Sequence, residues 1–165
     1  MKAAVLTVSD RVAAGTREDE SGDLLAGLLA VDGYEVERRV VADDAEEIAH
    51  ALTLLTSDAA VVLTTGGTGV APRDVTPEAV RPLFRREMDG FSVAIHQASF
   101  GTVGVSTLQS RAFAGQIGDT FVFCLPGSTG ACRDAWDLLL GQLLDSRHRP
   151  CSLAGQVPRL MELCA

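Results

Sequence analysis

Residues 61–79 read VVLTTGGTGVAPRDVTPEA, and they give the first prediction of the fold class. They begin with Val61-Val62-Leu63, an apolar and β-branched run that is typical of a strand covered on both faces. Gly66-Gly67-Thr68-Gly69 follows, and its glycines permit backbone angles and close approaches that a Cβ atom would block. Thr76 can then cap a helix that begins at Pro77. A strand, a glycine loop (residues 65–69) and a helix start, in this order, indicate an α/β protein.

The sequence on both sides alternates between strand and helix patterns. Strands are predicted at residues 2–9, 34–41, 60–63 and 120–125, the second with Tyr34, Val36 and Val40 facing inward. Helices are predicted to begin near Ser21, Asp44, Pro77, Phe91 and Thr129, and Pro82 should interrupt the third. The last helix should reach Leu144, with these residues facing the core: Ala135, Leu138, Leu139 and Leu143.

The remaining segments complete the predicted architecture. Residues 103–117 give a weak strand pattern, and Gly118-Asp119 predicts a hairpin turn. The tail after Arg149-Pro150 has no clear periodicity, and we expect an arm that packs on another subunit. The whole pattern predicts a three-layer α/β/α sandwich with a mostly parallel central sheet and one antiparallel hairpin.

Size and composition favour one globular domain over residues 1–165, and its net charge is −8. The only lysine is Lys2, so the chain has no basic stripe and a nucleic-acid partner is not expected. No apolar run reaches the ~20 residues that span a bilayer, and no leader pattern precedes the first strand. We therefore expect a cytoplasmic protein without a membrane partner. The cysteines show no CxxC spacing and are expected to be free: Cys124, Cys132, Cys151 and Cys164.

The glycine loop is typical of a phosphate-binding turn, because such a loop can direct several N–H groups at one anion. Arg73 follows it and adds a cation. The known glycine motifs do not fit, since Pro72 stands where a dinucleotide fingerprint needs glycine and a Walker loop needs lysine. A plain tight turn is the alternative. No G-x-S-x-G elbow indicates a hydrolase nucleophile.

Polar or glycine-rich turns follow four predicted strands. They are Ser9-Asp10, Asp43-Asp44, residues 65–69 and Pro126-Gly127-Ser128. Ligands of open α/β sheets collect at the carboxyl ends of the strands, so these four turns are expected to converge on one site.

Two aspartates in these turns are candidate ligands of Mg²⁺, which proteins hold with one or two carboxylates together with substrate phosphates. They are Asp43 and Asp74. The alternative for Asp43 is a helix N-cap, and Asp44 fits the same cap. The alternative for Asp74 is a loop carboxylate that accepts backbone N–H groups or pairs with Arg73.

TTGGTG followed by PRDVTPEA resembles the MoaB/MogA family of molybdenum-cofactor biosynthesis proteins. The resemblance extends to TVSDR at residues 7–11, STLQSRAFAG at 106–115 and LPGSTGACRDAW at 125–136, and the last two resemble the MoaB branch most. It implies that Asp43 and Asp74 are catalytic and bind Mg²⁺. It implies nucleotide-phosphate binding by Thr65, Gly66, Gly67, Thr68, Gly69 and Arg73. It implies pterin binding by Ser9, Asp10, Ser110, Arg111, Pro126, Gly127 and Ser128.

Some of these implied roles have structural alternatives. Arg111 can instead form a structural ion pair, and Ser128 can act as a helix cap without a ligand. Relatives often have PGNP at this last turn, whereas this chain has Ser128-Thr129, which leaves backbone contacts but not the same side-chain contacts.

The implied function is Mg-ATP-dependent adenylylation of molybdopterin with release of pyrophosphate. The resemblance also implies a homo-oligomer, a trimer or, in the MoaB branch, often a hexamer. A non-catalytic protein of the MoaB branch that binds or carries molybdopterin is the first alternative. A nucleotide-binding regulatory module is the second.

Overall fold

The computed structural model describes residues 1–145, 147–149 and 153, and its centre is a six-stranded sheet. The strands are β1 (Lys2–Val8), β2 (Glu35–Val41), β3 (Val61–Thr65), β4 (Arg86–Glu87), β5 (Phe113–Ile117) and β6 (Thr120–Leu125). Their order across the sheet is β2-β1-β3-β6-β5-β4. The first four strands in this order pair in parallel, whereas β5 runs antiparallel to β6 and to β4. The mostly parallel sheet and the hairpin at Gly118 are confirmed.

Helices cover both faces of the sheet. They are α1 (Asp10–Ala13), α2 (Glu20–Val31), α3 (Ala45–Leu55), α4 (Thr76–Val80), α5 (Asp89–Val103), α6 (Thr129–Ala135) and α7 (Gly141–Leu143). A 3₁₀ turn at Arg81–Leu83 follows α4, so Pro82 interrupts that helix as predicted. A second 3₁₀ helix spans Gly104–Gln109, and a π-helical turn spans Trp136–Leu140.

The core consists of two clusters, one on each face of the sheet. One face packs strand residues against α2, α5 and α6: Val5, Leu63, Phe123, Leu25, Ile95 and Cys132. The other packs strand residues against α3 and α4: Leu6, Val62, Val122, Ile48, Leu52 and Val80. Successive strand residues point to opposite faces, which explains why the buried strands are continuously apolar. The three-layer α/β/α prediction is therefore confirmed.

Three segments differ from the sequence prediction. Residues 104–109 form a 3₁₀ helix and not a strand, because Gly104 ends α5 at a φ of 58° and the chain turns tightly from there. β4 adds a second antiparallel pair that was not predicted, since two residues are too few to show alternation. The single turn of α1 was also missed, because none of its residues is buried and it has no apolar face.

Two residues predicted to face the core are exposed instead. Val40 is 41% exposed on β2, which is an edge strand of the sheet and has only β1 as its neighbour. Leu138 is 51% exposed, because the π-helical turn rotates the following residues and buries Leu140 and Leu144 in its place.

The remaining structural expectations concern the cysteines, the tail and membrane crossing. Cys124 and Cys132 are free and buried, as predicted. Cys151, Cys164 and almost all of the predicted arm beyond residue 149 lie outside the described residues. Among the described helices, none is long and apolar enough to cross a bilayer.

Candidate functional site

A cleft of about 310 Å³ lies at the carboxyl ends of the parallel strands. It brings together eight of the residues that the sequence analysis assigned to a site: Ser9, Asp10, Asp43, Thr65, Gly66, Gly67, Asp74 and Gly127. These residues come from the turns after β1, β2, β3 and β6, so all four predicted turns contribute to one cleft. The convergence follows from the parallel strand order, which places these carboxyl ends along one edge.

The glycine loop is held tightly between β1 and α4. Gly66 and Gly67 have φ angles of 102° and 64°, a region that favours glycine. A Cβ atom on Gly66 would overlap the carbonyl oxygen of Val8, and one on Gly67 would overlap the Thr76 hydroxyl. The Thr76 hydroxyl donates to the Gly66 carbonyl oxygen over 2.9 Å. The loop therefore requires glycine at both positions.

Thr76 does not cap α4, and this prediction was wrong. The N-cap is Val75, which makes no side-chain capping hydrogen bond, and Thr76 is the first helical residue. Its hydroxyl and its N–H both bind the glycine loop, the N–H donating to the Gly67 carbonyl oxygen over 3.0 Å. The helix start is thus used to fix the loop.

The free N–H groups of the loop lie at its second half. The Gly66 N–H donates to the Leu125 carbonyl oxygen over 3.1 Å and is therefore occupied. Within residues 1–145, 147–149 and 153, the N–H groups of Gly67, Thr68 and Gly69 have no acceptor. Successive free N–H groups are the feature that lets a loop bind an anion.

The structure separates the roles of the two neighbouring aspartates after β2. Asp44 caps α3, because its Oδ1 atom accepts hydrogen bonds of 3.0 Å from the N–H groups of Glu46 and Glu47. Asp43 lies in the cleft, where its Oδ2 atom accepts from the Asp10 N–H over 2.8 Å. The capping alternative for Asp43 is therefore not the arrangement observed.

Asp10 connects the turns that follow three strands. Its Oδ1 atom accepts from the Asp43 N–H over 3.0 Å, which returns the bond that Asp43 accepts. Its carboxylate also accepts hydrogen bonds of 2.7–3.0 Å from the Arg73 guanidinium, which form a bidentate ion pair. The Arg73 hydrogen bonds are the main reason that the pKa of Asp10 lies below its ordinary value. Arg73 thus holds Asp10 in this structure.

The two candidate metal ligands each keep one oxygen for a ligand. Asp43 uses Oδ2 for Asp10, and Asp74 uses Oδ2 to accept from the Ala71 N–H over 2.8 Å. No donor among the described residues reaches either Oδ1 atom. Burial raises the pKa of Asp43, and the nearby carboxylates of Asp10 and Asp74 raise it further. Both carboxylates border the glycine loop, since Cβ atoms added at Gly67 and Gly69 would lie 3.3 Å from Asp43 Oδ1 and 2.5 Å from Asp74 Oδ2.

The carboxylates of Asp43 and Asp74 suit Mg²⁺ that is shared with a substrate. They are too few for a metal ion whose ligands all come from the protein. Among the described residues, no group of three or more His, Cys, Asp or Glu side chains is arranged to hold an ion. Two carboxylates with unshared oxygens suit Mg²⁺, which keeps waters and takes the remaining ligands from substrate phosphates.

Several residues assigned to pterin binding have structural roles. Ser128 caps α6 by accepting from the Ala131 N–H over 3.2 Å, and the Pro126 carbonyl oxygen accepts from the Thr65 hydroxyl over 3.1 Å. Ser110 and Arg111 line a separate cavity of about 450 Å³. Arg111 forms an ion pair with Glu78, which is the structural alternative named above.

Sequence reasoning missed the acidic and cationic residues on the wall of the cleft near α2. Asp19 is the N-cap of α2 and accepts from the Thr7 hydroxyl and from Arg38 over 2.8 and 2.7 Å. Arg11 and Arg17 also line the cleft, and their guanidinium groups contact no carboxylate among the described residues. The position of Asp19, directly before an acidic first turn, is an N-cap pattern that could have indicated it.

Comparison with known proteins gives the class and then the family. A family described as "Probable molybdopterin binding domain" matches residues 4–146, and so the chain is an α/β protein of the molybdopterin-binding class. "Molybdenum cofactor biosynthesis protein B" of Escherichia coli K12 is 42% identical over 152 residues, which cover 90% of this chain and 88% of that protein. The chain belongs to the MoaB/MogA family of molybdenum-cofactor biosynthesis proteins, and the MoaB branch fits it.

Other relatives and solved structures agree with this assignment. "Molybdopterin adenylyltransferase" of Pyrococcus furiosus is 40% identical and covers 86% of each chain. The structure of the tungsten cofactor synthesizing protein MoaB from Pyrococcus furiosus has a TM-score of 0.80 at 40% identity, over 86% of this chain and 91% of that one. A molybdopterin biosynthesis protein from Mycobacterium abscessus has a TM-score of 0.79 at 39% identity, over 85% and 89% of the two chains.

Proposed function

We propose that this protein is a molybdopterin adenylyltransferase. An oxygen of the terminal phosphate of molybdopterin attacks the α-phosphorus of ATP, forms the new P–O bond and displaces pyrophosphate as the α–β bridging bond breaks. The product is adenylyl-molybdopterin. The observation that carries the proposal is that Asp43 and Asp74 line one cleft together with Thr65, Gly66 and Gly67 of the glycine loop, whereas Thr68, Gly69 and Arg73 do not line it. The relative from Pyrococcus furiosus, which is named molybdopterin adenylyltransferase, supports the same reaction.

The protein's part in such a reaction is placement and charge neutralisation, because a phosphate dianion is already a competent nucleophile. Asp43 and Asp74 would hold Mg²⁺ through their Oδ1 atoms, and the ion would neutralise charge on the triphosphate. The free N–H groups of residues 67–69 would bind phosphate oxygens. Gly66 would contribute through its backbone shape, since its N–H is already bonded to Leu125.

The arginines near the cleft differ in whether a carboxylate already pairs with them, and only an unpaired arginine is free to bind a phosphate group. Its lining contains six carboxylates, those of Asp10, Glu18, Asp19, Glu20, Asp43 and Asp74. Arg73 and Arg38 are paired with Asp10 and Asp19. Arg11 and Arg17 are exposed on the cleft wall, and we assign them the role of holding phosphate oxygens beside the metal. Arg73 would join them when a phosphate replaces its bond to Asp10.

The pterin side of the proposal is narrower than the set that the resemblance implies. Ser9, Asp10 and Gly127 line the cleft and remain candidates for pterin contact. Ser128 caps the N-terminus of α6, and the Pro126 carbonyl oxygen accepts a hydrogen bond from Thr65 at the end of β3. Ser110 and Arg111 line the other cavity and not the cleft.

Asp74→Asn tests the proposal directly. The variant loses the charge of one proposed metal ligand, while its amide oxygen can still accept from the Ala71 N–H, so folding should be unaffected. We expect ATP-dependent pyrophosphate release with added molybdopterin to fall at least ~10²-fold, the scale of losing a well-placed electrostatic group. The matched control is Asp58→Asn, which should keep full activity because Asp58 lies in the turn between α3 and β3 and pairs with Lys2. Full activity in Asp74→Asn would overturn the catalytic role.

A non-catalytic molybdopterin carrier is the second candidate. It is favoured by the several MoaB relatives whose printed names give a biosynthetic role without a reaction. Wild-type protein that binds molybdopterin but releases no pyrophosphate from Mg-ATP would select it. Loss of turnover on chelation of Mg²⁺ would select the enzyme.

We also propose that the protein is a homo-oligomer. The second half of α5 and the following 3₁₀ helix carry an apolar patch formed by Phe100, Val103, Val105 and Leu108, each more than half exposed. Val93 lies seven residues before Phe100 and therefore on the same side of α5. A second copy of the chain is the occupant that the family resemblance implies, and monomers rarely leave contiguous apolar surface uncovered.

A further inference from the structure

Arg111 contacts the loop that carries Asp74 without lining the cleft. It follows the second 3₁₀ helix, precedes β5, and lines the cavity of about 450 Å³ together with Glu78, Arg81 and His96. We propose that Arg111 is a positioning residue that fixes Asp74 for the metal from outside the cleft. This inference rests on the proposed function.

The contacts of Arg111 all go to residues 68–78. Its Nε donates to the Gly69 carbonyl oxygen over 2.8 Å, and its Nη2 donates to the Asp74 carbonyl oxygen over 2.6 Å. Its Nη1 pairs with Glu78 on α4. Its backbone N–H donates to the Thr68 carbonyl oxygen over 2.7 Å. One residue therefore joins the end of the glycine loop, the Asp74 backbone and the start of α4.

The side chain of Arg73 ties the turn that bears Asp74 to Asp10, and the backbone of Asp74 has few other attachments. The Asp74 N–H donates to the Ala71 carbonyl oxygen, and the Ala71 N–H donates to the Asp74 carboxylate, so these bonds close the turn on itself. Residues 70–73 are exposed. Among the described residues, Arg111 is the only side chain that bonds to the backbone of Asp74. The direction in which the Asp74 carboxylate points therefore depends on this guanidinium.

Only a guanidinium can make this set of contacts. Its nitrogens form a planar fork that donates in several directions at once, whereas a lysine ammonium is a point charge on a flexible stem. Arg111→Lys therefore keeps the charge and loses the geometry. If Arg111 instead contacted the pterin through the fork of its guanidinium, the same substitution would weaken the binding of molybdopterin.

The first measurement separates positioning from substrate contact. We expect Arg111→Lys to lower kcat for adenylylation by about 10²-fold, the cost of misplacing a reacting group by roughly 1 Å. The KM for molybdopterin should stay within about threefold of wild type, because no substrate contact is removed. A raised KM for molybdopterin with an unchanged kcat would overturn the proposal in favour of a pterin contact.

The matched control is Arg81→Lys. Arg81 lines the same cavity, pairs with Glu87 and lies over the Phe113 ring at 4.6 Å, but it bonds to no residue of the 68–76 loop. It reports the effect of replacing a partly exposed arginine in this region. We expect its kcat to remain within about twofold of wild type, as for a surface substitution. A loss equal to that of Arg111→Lys would overturn the specific role of Arg111.

The second measurement does not depend on turnover. Binding of Mn²⁺ with ATP, followed by electron paramagnetic resonance, should weaken about tenfold in Asp74→Asn and in Arg111→Lys, and no further in the double variant, because both changes act through one carboxylate. Independent, multiplied losses would overturn the proposal. Wild-type protein that binds Mn²⁺-ATP but releases no pyrophosphate would instead refute the proposed reaction, while this cycle still tests Arg111.

Hydrogen exchange gives a direct view of the loop. The amides of Ala71 and Asp74 should exchange faster in Arg111→Lys than in wild type or Arg81→Lys, while the amides of β3 stay protected. Unchanged exchange at Ala71 and Asp74 would show that the turn holds its own shape and would overturn the positioning role.

Discussion

Asp43 and Asp44 are neighbours in sequence whose surroundings give them different roles. Asp44 accepts two backbone N–H groups at the start of α3 and stabilises that helix. Asp43 is partly buried among other carboxylates. Burial raises its pKa, so ionisation of this side chain destabilises the folded chain. Asp44 therefore stabilises a helix, whereas Asp43 is the residue that we propose as a ligand of Mg²⁺.

Substitution of the pair should separate these two roles. Asp44→Ala removes an N-cap, which costs about 1 kcal/mol. That loss should lower Tm by roughly 2–4 °C in a chain of this size. Asp43→Asn removes a partly desolvated charge and should leave Tm equal or higher at pH 7, while it lowers activity. A large drop in Tm for Asp43→Asn, measured by calorimetry, would contradict this assignment.

The pH dependence of the Asp43 effect has a definite sign. A carboxyl whose pKa is raised by folding binds its proton more tightly in the native state than in the unfolded chain. Its contribution to stability is therefore most favourable at low pH and is lost as the pH rises from the ordinary value of 3.8 through the raised value. The stability gain of Asp43→Asn should be present at pH 7 and should vanish when the pH falls below 3.8.

At the scale of elements, the glycine loop is fixed by contacts on both sides. β1 lies against Gly66 and the start of α4 lies against Gly67. Gly27, in the middle of α2, has an ordinary φ, and a Cβ atom added there would meet no neighbour within 4 Å. The two kinds of glycine should therefore respond in opposite directions to the same substitution.

Gly66→Ala should lower the free energy of unfolding by more than about 2 kcal/mol, because it combines an unfavourable φ with an overlap at Val8. Gly27→Ala should raise it by roughly 0.5–1 kcal/mol, because alanine is the better helix former. Urea denaturation measures both. A stabilised or neutral Gly66→Ala variant would contradict the tight fit of the loop.

Much of this arrangement was predictable from the sequence, and the rest depended on contacts between distant residues. The four parallel strands, the hairpin at Gly118 and the convergence of four turns followed from local patterns. The direction in which the side chains after Ala135 point was not predictable, because a single π-helical turn has no sequence pattern that we could identify. The role of Thr76 was predicted wrongly, and the contacts of Arg111 with residues 68–78 were not predicted, because the partners of both side chains are decided by packing.

At the scale of the whole molecule, the apolar patch and the net charge of −8 have opposite effects on the association of two copies of the chain. Like charges on two copies repel, whereas burial of apolar surface favours association at roughly 25 cal/mol per Å². An assembled protein should therefore become more stable towards dissociation as salt screens the charge.

The double variant Val105→Glu/Leu108→Glu should dissociate the oligomer into monomers. The pair introduces charge into the apolar patch, where both residues are 71% exposed in the single chain. Light scattering after size exclusion should then report the 17.4 kDa monomer. The control is Val31→Glu, at an 85% exposed position on the last residue of α2. A monomeric wild type, or a double variant that stays assembled, would contradict the role of the patch.

The shortage of ligands at Asp43 and Asp74 has a consequence for the order of events in the cleft. Two carboxylate oxygens are too few protein ligands to hold a bare divalent cation firmly. The ion should therefore enter as a chelate of the triphosphate, and not ahead of it. Turnover would then follow the concentration of the metal–nucleotide complex, and free magnesium above that level would add nothing.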